Sequence, residues 1–179
     1  MNKAQMRRNL LQEQRVNSEK DSLIQKNLLS LKDFIEADLL LIYVSMGTEI
    51  DTLKLIDRCF GAGKRVAVPR VNTAGMAFFE ISSLRETELG KFGISEPLKT
   101  CKNAQISSNT FCVTPALACD LQGFRLGRGG GYYDRFLADY KGKSAVLCYS
   151  ENVIALPVEA HDIAVDFIIT EGGVVVVRG

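Results

Sequence analysis

The sequence predicts an α/β domain with a mostly parallel sheet between helical layers. Short runs of apolar residues alternate with helix-patterned segments along most of the chain. The strongest run, LLLIYV at 39–44, is apolar at every position, as in a strand covered on both faces rather than one. The chain has 179 residues, with no repeat and no low-complexity linker. That length suits one domain with a substantial core.

In chain order, residues 3–15 read as a polar helix with Met6, Leu10 and Leu11 on one side. Ser18 has the character of an N-cap, with Asp21 at the capping-box position. Ile24, Leu28, Leu31 and Ile35 follow at helical spacing and predict an amphipathic helix through 35. After the strand at 39–44, DTLKLIDRCFGAGK reads as a helix closed by Gly61 or Gly63. Strands are expected at 65–69, 76–81 and 111–115, with a mixed segment containing GISEP between the last two. YYDRFLADY predicts a helix burying Tyr133, Phe136, Leu137 and Tyr140. Strands at 144–149, 166–170 and 174–177 complete the series.

Composition excludes several classes of function. The chain carries 22 basic and 21 acidic residues, a net charge of +1, so no global field draws it to nucleic acid or an anionic membrane. Its longest apolar run cannot span a bilayer. Five cysteines, widely spaced and without a CxxC pair, speak against a disulfide framework or a zinc site. With an N-terminus that lacks a signal-peptide pattern, they indicate a reduced, cytoplasmic setting.

The densest chemistry lies at 125–136, RLGRGGGYYDRF. Four glycines precede a helix whose first N–H groups lack internal partners, and Arg125 and Arg128 add forked donors. Together these make an anion cradle; the alternative is a glycine-rich connection with two solvated arginines. Neither the P-loop nor the GxGxxG spacing is present, so it belongs to neither common nucleotide fold. Asp134 beside the arginines fits a magnesium ion shared with phosphates, and Asp162 offers a second carboxylate. Lys3 and Arg7 share one helix face, which is either a solvated basic surface or, if that helix packs over the glycine loop, part of the site. Glu49 follows a strand, where it either contacts ligand or, like Thr48, caps the next helix. The one histidine, His161, has no serine or cysteine nucleophile motif to serve and reads as structural.

The block RLGRGGGYYDRFL, with TPALACDLQG before it, ALPVEAHDIAVDFIITE after it, YVSMGTEIDTLKLI and the N-terminal basic pair, resembles the 5-formyltetrahydrofolate cyclo-ligases over nearly the whole chain. GISEP also stands where that family has it. The resemblance implies one three-layer αβα domain over 1–179, Rossmann-like, with N-terminal helices. It implies ATP- and Mg²⁺-dependent closure of 5-formyltetrahydrofolate to 5,10-methenyltetrahydrofolate, by a cytoplasmic monomer that binds neither nucleic acid nor membrane. The alternative is a non-catalytic nucleotide- or folate-binding member of the same family.

By that resemblance ATP contacts Lys3, Ala4, Gln5, Met6 and Arg7, and also Arg125, Leu126, Gly127, Arg128, Gly129, Gly130, Gly131, Tyr132 and Tyr133. The folate contacts Val44, Glu49, Arg128, Gly129, Gly130, Gly131 and Tyr132. Arg128 and Lys3 carry the catalysis, and Asp134 and Asp162 hold magnesium. Phe79 is a candidate for stacking on the pterin. Ala116 and Cys119 depart from the family pattern, where glycine and an aromatic are commoner.

Overall fold

A computed structural model describes residues 2–90 and 93–178. The helices are α1 (Lys3–Glu13), α2 (Ser18–Leu29), α3 (Lys32–Glu36), α4 (Leu53–Gly61) and α5 (Tyr132–Asp139). Seven strands form the main sheet: β1 (Leu39–Ile42), β2 (Arg65–Asn72), β3 (Gly75–Ile81), β6 (Thr110–Thr114), β9 (Lys143–Leu147), β10 (Phe167–Thr170) and β11 (Gly173–Val176). Two small hairpins lie outside it, β4 (Thr87–Leu89) with β5 (Ser95–Pro97) and β7 (Ala118–Cys119) with β8 (Arg125–Leu126). The sequence pattern left both hairpins as loop, because strands of two or three residues are too short to show alternation.

The sheet order is β11-β10-β9-β6-β1-β2-β3. The five inner strands run parallel, and antiparallel β3 and β11 close the two edges. The all-apolar run of β1 now has its reason. Leu40 and Ile42 face one core with Ile24, Leu28, Leu55, Ile56 and Phe111, while Leu39 and Leu41 face a second core with Phe78, Leu137, Val146 and Ile168. Helices α2, α3 and α4 cover the first face and α5 covers the second, giving three layers. The strand order changes its direction of growth between the parallel neighbours β1 and β6: one connection leads from β1 through α4 to β2, the other from β6 through α5 to β9 on the opposite side. A crevice opens at such a switch point, beyond the carboxyl ends of the strands.

Three local expectations are corrected. Asn17 caps α2, accepting the Lys20 N–H at 3.1 Å, and Ser18 is the first helical residue. Asp21 is buried and accepts the Tyr149 hydroxyl and the Asp51 N–H, so it ties α2 to two strand-end loops instead of completing a cap. The helix does not continue to Ile35. Ser30 N–H bonds back to Lys26 and Asn27, the chain turns, and α3 sends Phe34 inward against Phe111 while Ile35 stays 58% exposed. The burial of one large aromatic outweighs the local periodicity.

Candidate active site

At the switch point, Tyr43 and Val44 leave the end of β1, and Pro115 and Ala116 leave the end of β6. They open into a cleft of about 520 Å³. The predicted residues that line it are Lys3, Arg7, Val44, Glu49, Arg125, Gly127, Arg128, Gly129, Gly130, Gly131, Tyr132, Tyr133, Asp134 and Asp162. Ala4, Gln5, Met6 and Leu126 do not line it; Leu126 is buried in the protein and its carbonyl accepts the Leu117 N–H.

The glycine segment forms the loop between β8 and α5. Gly129 and Gly131 have φ of 104° and 65°, a region closed to most side chains. Gly131 is the N-cap of α5 and offers no side-chain cap, so the first amides of the helix stay open to a ligand. Helix α1 lies over this loop: Arg7 Nε–H donates to the Gly127 carbonyl at 2.8 Å. The basic face of α1, read from the sequence as a solvated surface or as a site, is therefore at the cleft.

Each charged group has a defined partner. Lys3 donates to Asp162 Oδ1 at 2.8 Å and to Glu159 Oε2 at 2.9 Å. Burial pulls the Lys3 ammonium down, but Asp162 and Glu159 outweigh it and hold it above the ordinary lysine value. Burial likewise pushes Asp162 up, yet Lys3 and the Glu159 N–H leave it below the ordinary carboxylate value. Arg125 is only 7% exposed; it donates to Asp134 Oδ1 at 2.8 Å and to the Ile163 carbonyl. It buttresses the loop carrying Asp162 and holds Asp134 in place. Arg128 Nε–H donates to Glu49 Oε1 at 3.1 Å, and the Met46 N–H donates to Glu49 Oε2. Glu49 thus closes its own turn and pairs with Arg128; it does not cap α4, where Asp51 accepts the Leu53 N–H. Arg128 is half exposed, so its pair with Glu49 is weak enough to open for a ligand.

Asp134 and Asp162 bear on a metal as hard oxygen donors at one cleft. Asp134 accepts two hydrogen bonds on Oδ1 and none on Oδ2 among the described residues, which leaves a carboxylate oxygen for a divalent cation, and the donor chemistry suits magnesium. Among the described residues, Glu159, His161 and Asp162 bring ligand atoms within 4.8 Å of one another. His161 is exposed, with Nε2 3.5 Å from Glu159 Oε2, so the expectation of a structural histidine is not met by any buried contact.

Sequence reading missed the far wall, formed by Pro69, Val71, Met76, Ile94 and Glu96. Ile94 and Glu96 belong to GISEP, which carried the family resemblance but no site role, and no motif marks Pro69, Val71 or Met76; they meet because β2 runs past the end of β1 and carries β3 and β5 with it. Phe79 is not on the wall, since the Arg70 guanidinium covers its ring at 4.2 Å.

The sequence signature of the 5-formyltetrahydrofolate cyclo-ligase family matches residues 1–171. The chain belongs to this family. A 5-formyltetrahydrofolate cyclo-ligase of Escherichia coli K12 is 30% identical over 151 residues, covering 80% of this chain and 83% of that one. One from Mycolicibacterium smegmatis is 33% identical over 146 residues, covering 76% and 75%. The solution structure of Aquifex aeolicus 5,10-methenyltetrahydrofolate synthetase superimposes with a TM-score of 0.87 at 30% identity, over 100% of this chain and 94% of the other. Membership accounts for the resemblance of the glycine–tyrosine–aspartate block and agrees with the three-layer α/β fold. No helix among the described residues is long and apolar enough to cross a membrane.

Proposed function

We propose that this protein converts 5-formyltetrahydrofolate to 5,10-methenyltetrahydrofolate, consuming Mg-ATP and releasing ADP and phosphate. The observation that carries the reading is one cleft, at the switch point of the sheet, in which Lys3, Arg7 and Arg128 surround an uncapped helix start. That is a binding place for a polyphosphate, and the family supplies the folate.

A formamide oxygen is a poor leaving group. In this reading it attacks the γ-phosphorus, and the bond from phosphorus to the bridging oxygen of ADP breaks. The formyl carbon, now an electrophile, is attacked by N10 of the folate; phosphate departs with the former formyl oxygen, and the N10 proton is lost. Such transfer needs positioning and charge neutralisation more than a nucleophilic side chain. Arg128, released from Glu49, neutralises the transferring group; Lys3 and Arg7 fix the nucleotide from α1; the open amides of the glycine loop accept phosphate oxygens. Asp134 and Asp162 would hold Mg²⁺, which would neutralise phosphate charge. Arg125, tied to Asp134, serves as their support. The absence of a catalytic serine, cysteine or histidine fits this chemistry. The cytoplasmic setting and the monomeric state are part of the proposal, the first supported by five free cysteines.

The test is the absorbance band of the methenyl product, with purified protein, 5-formyltetrahydrofolate, ATP and magnesium. The band is expected only when all components are present. Arg128→Ala is expected to lower turnover by about a hundredfold or more with an unchanged circular dichroism spectrum. Normal turnover in that variant would remove Arg128 from the chemistry. A flat trace from folded wild-type protein that binds ATP would favour the non-catalytic reading.

A further inference from the structure

We infer that Lys3 is a latch on a metal-binding carboxylate: in the ligand-free protein its ammonium occupies both oxygens of Asp162, keeps a divalent cation off them, and leaves when the phosphates of a nucleotide offer it another partner. The inference rests on the cyclo-ligase reading for the place of the metal, and it adds an order to the binding of the ligands.

Helix α1 places Lys3 against its own electrostatics. Asn2 Oδ1 accepts the Gln5 N–H at 2.9 Å and Gln5 Oε1 accepts the Asn2 N–H at 3.2 Å, a capping box that fixes Lys3 as the first helical residue. A helix start carries partial positive charge and favours acids, so a lysine there is repelled. The first turn, Lys3-Ala4-Gln5, holds no acid to offset it. The compensation comes from across the fold. Lys3 Nζ donates to Asp162 Oδ1 at 2.8 Å, to Asp162 Oδ2 at 2.5 Å and to Glu159 Oε2 at 2.9 Å. The Lys3 and Asp162 side chains are only 12% and 7% exposed, so this pair is not one that solvent screens away.

Asp162 is held in place without Lys3. The Glu159 N–H donates to Asp162 Oδ2 at 2.6 Å, and the Asp162 N–H donates to the Glu159 carbonyl at 3.0 Å. The next residue, Ile163, gives its N–H to Asp134 Oδ1 at 3.1 Å, and its carbonyl accepts from Arg125. The two carboxylates that would hold the metal are thereby joined through Ile163, in a frame that stays when the ammonium goes. Lys3 is the exchangeable part. It sits at the end of a long flexible stem, on a helix that buries no residue.

An ammonium and a divalent cation on the same two oxygens repel each other, so one excludes the other. A bare ion meets an Asp162 that is already neutralised. A triphosphate changes this, because its oxygens take the ammonium and free the carboxylate in the same exchange, and magnesium is commonly held by one or two carboxylates together with phosphates. Nucleotide and metal therefore favour each other's binding through Lys3, beyond their direct contact, and the effect is reciprocal. Metal without nucleotide is not captured. With nucleotide, α1 is drawn onto the phosphates instead of onto the loop at 159–162.

The probe is Mn²⁺ without nucleotide, as a stand-in for Mg²⁺, its free fraction read by electron paramagnetic resonance. Lys3→Met keeps the reach of the side chain and removes the charge. It is expected to bind Mn²⁺ about ten- to a hundredfold more tightly than wild type. Lys3→Arg keeps the charge, and Arg7→Met removes one from the same helix at a guanidinium that rests on the Gly127 carbonyl; both should bind as weakly as wild type. Asp162→Asn in the Lys3→Met background should cancel the gain. In wild type, hydrogen exchange of the α1 amides should quicken in saturating Mn²⁺ alone and slow in Mg-ATP. Four results would each overturn the inference: equal Mn²⁺ affinity in wild type and folded Lys3→Met, an equal gain in Arg7→Met, a gain that survives Asp162→Asn, or α1 exchange unmoved by saturating Mn²⁺. The last needs no variant to fold. None of these readouts requires turnover. The expected pattern in a protein that forms no methenyl product would overturn the cyclo-ligase reading alone, and product formation beside any contrary result would overturn the latch alone.

Discussion

Helices α1 and α2 are neighbours in sequence and are held in opposite ways. Helix α2 buries Asp21, Ile24, Gln25 and Leu28, whereas α1 buries no residue at all. Both carry a lysine set between two acids: Lys20 with Glu151 and Glu171 on α2, Lys3 with Glu159 and Asp162 on α1. On α2 that ion contact adds to a hydrophobic seat. On α1, with Arg7 on the Gly127 carbonyl, polar contacts are the main attachment. The difference teaches where stability is placed and where it is withheld. A helix docked by charges at the mouth of a cleft can exchange those partners for a ligand; a helix docked by leucine and isoleucine cannot.

The comparison breaks first at Leu28. Leu28→Ala removes a fully buried side chain and is expected to cost about 2–5 kcal/mol in urea unfolding, with KM values of the folded protein unchanged. If KM for ATP rose as well, α2 would belong to the site.

Lys3→Ala should act the other way, costing about 1–2 kcal/mol in stability and raising KM for ATP about tenfold. The pH dependence has a defined sign. Asp162 is depressed, so its share is present above the unfolded carboxylate value near 3.9 and is lost as pH falls. Lys3 is raised, so its share is complete below the unfolded lysine value and is lost as pH rises through the folded one. The stability gap between wild type and Lys3→Ala should therefore stay level from about pH 5 to 9, as measured by denaturation at each pH.

Glu171→Gln sharpens the comparison on the α2 side. Burial raises the Glu171 carboxyl, but the Ser150 hydroxyl and amide, its own amide and Lys20 bring it to about 2. The variant should lower the melting temperature at pH 7 by only about 2 °C. The gap should shrink as pH falls from the ordinary carboxylate range toward 2, because a depressed group loses its contribution there.

Tyr133→Phe should give the smallest shift, of opposite sign. Among the described residues the Tyr133 hydroxyl is buried without a hydrogen-bond partner, and burial pushes its pKa up, so it stays a donor. Deleting it should leave the melting temperature equal or raise it by about 1–2 °C, while kcat/KM falls if the hydroxyl donates to substrate. A clear loss of stability would show that the hydroxyl already has a role in the free protein.

Much of this was legible from residue order. The apolar run of β1 announced a sheet covered on both faces, Tyr133, Phe136 and Leu137 marked the inner side of α5, and the glycine segment marked a loop that feeds a helix. These signals are local: periodicity, a run of missing Cβ atoms and clustered guanidinium groups are properties of ten or twenty adjacent residues. Asn17 as the cap of α2, and Phe34 displacing Ile35 from the core, could not be read the same way, because each depends on what lies across the fold. So did the partners of the charges. Lys3 meets Asp162 across 159 positions, and Arg128 meets Glu49 across 79. The sequence by itself determined the layers and the strand segments of the main sheet. Only the tertiary structure decided that β2 outruns β1, that Glu96 thereby reaches the cleft, and that α1 rests on charge; the register and order of strands join residues whose separation along the chain carries no local signal.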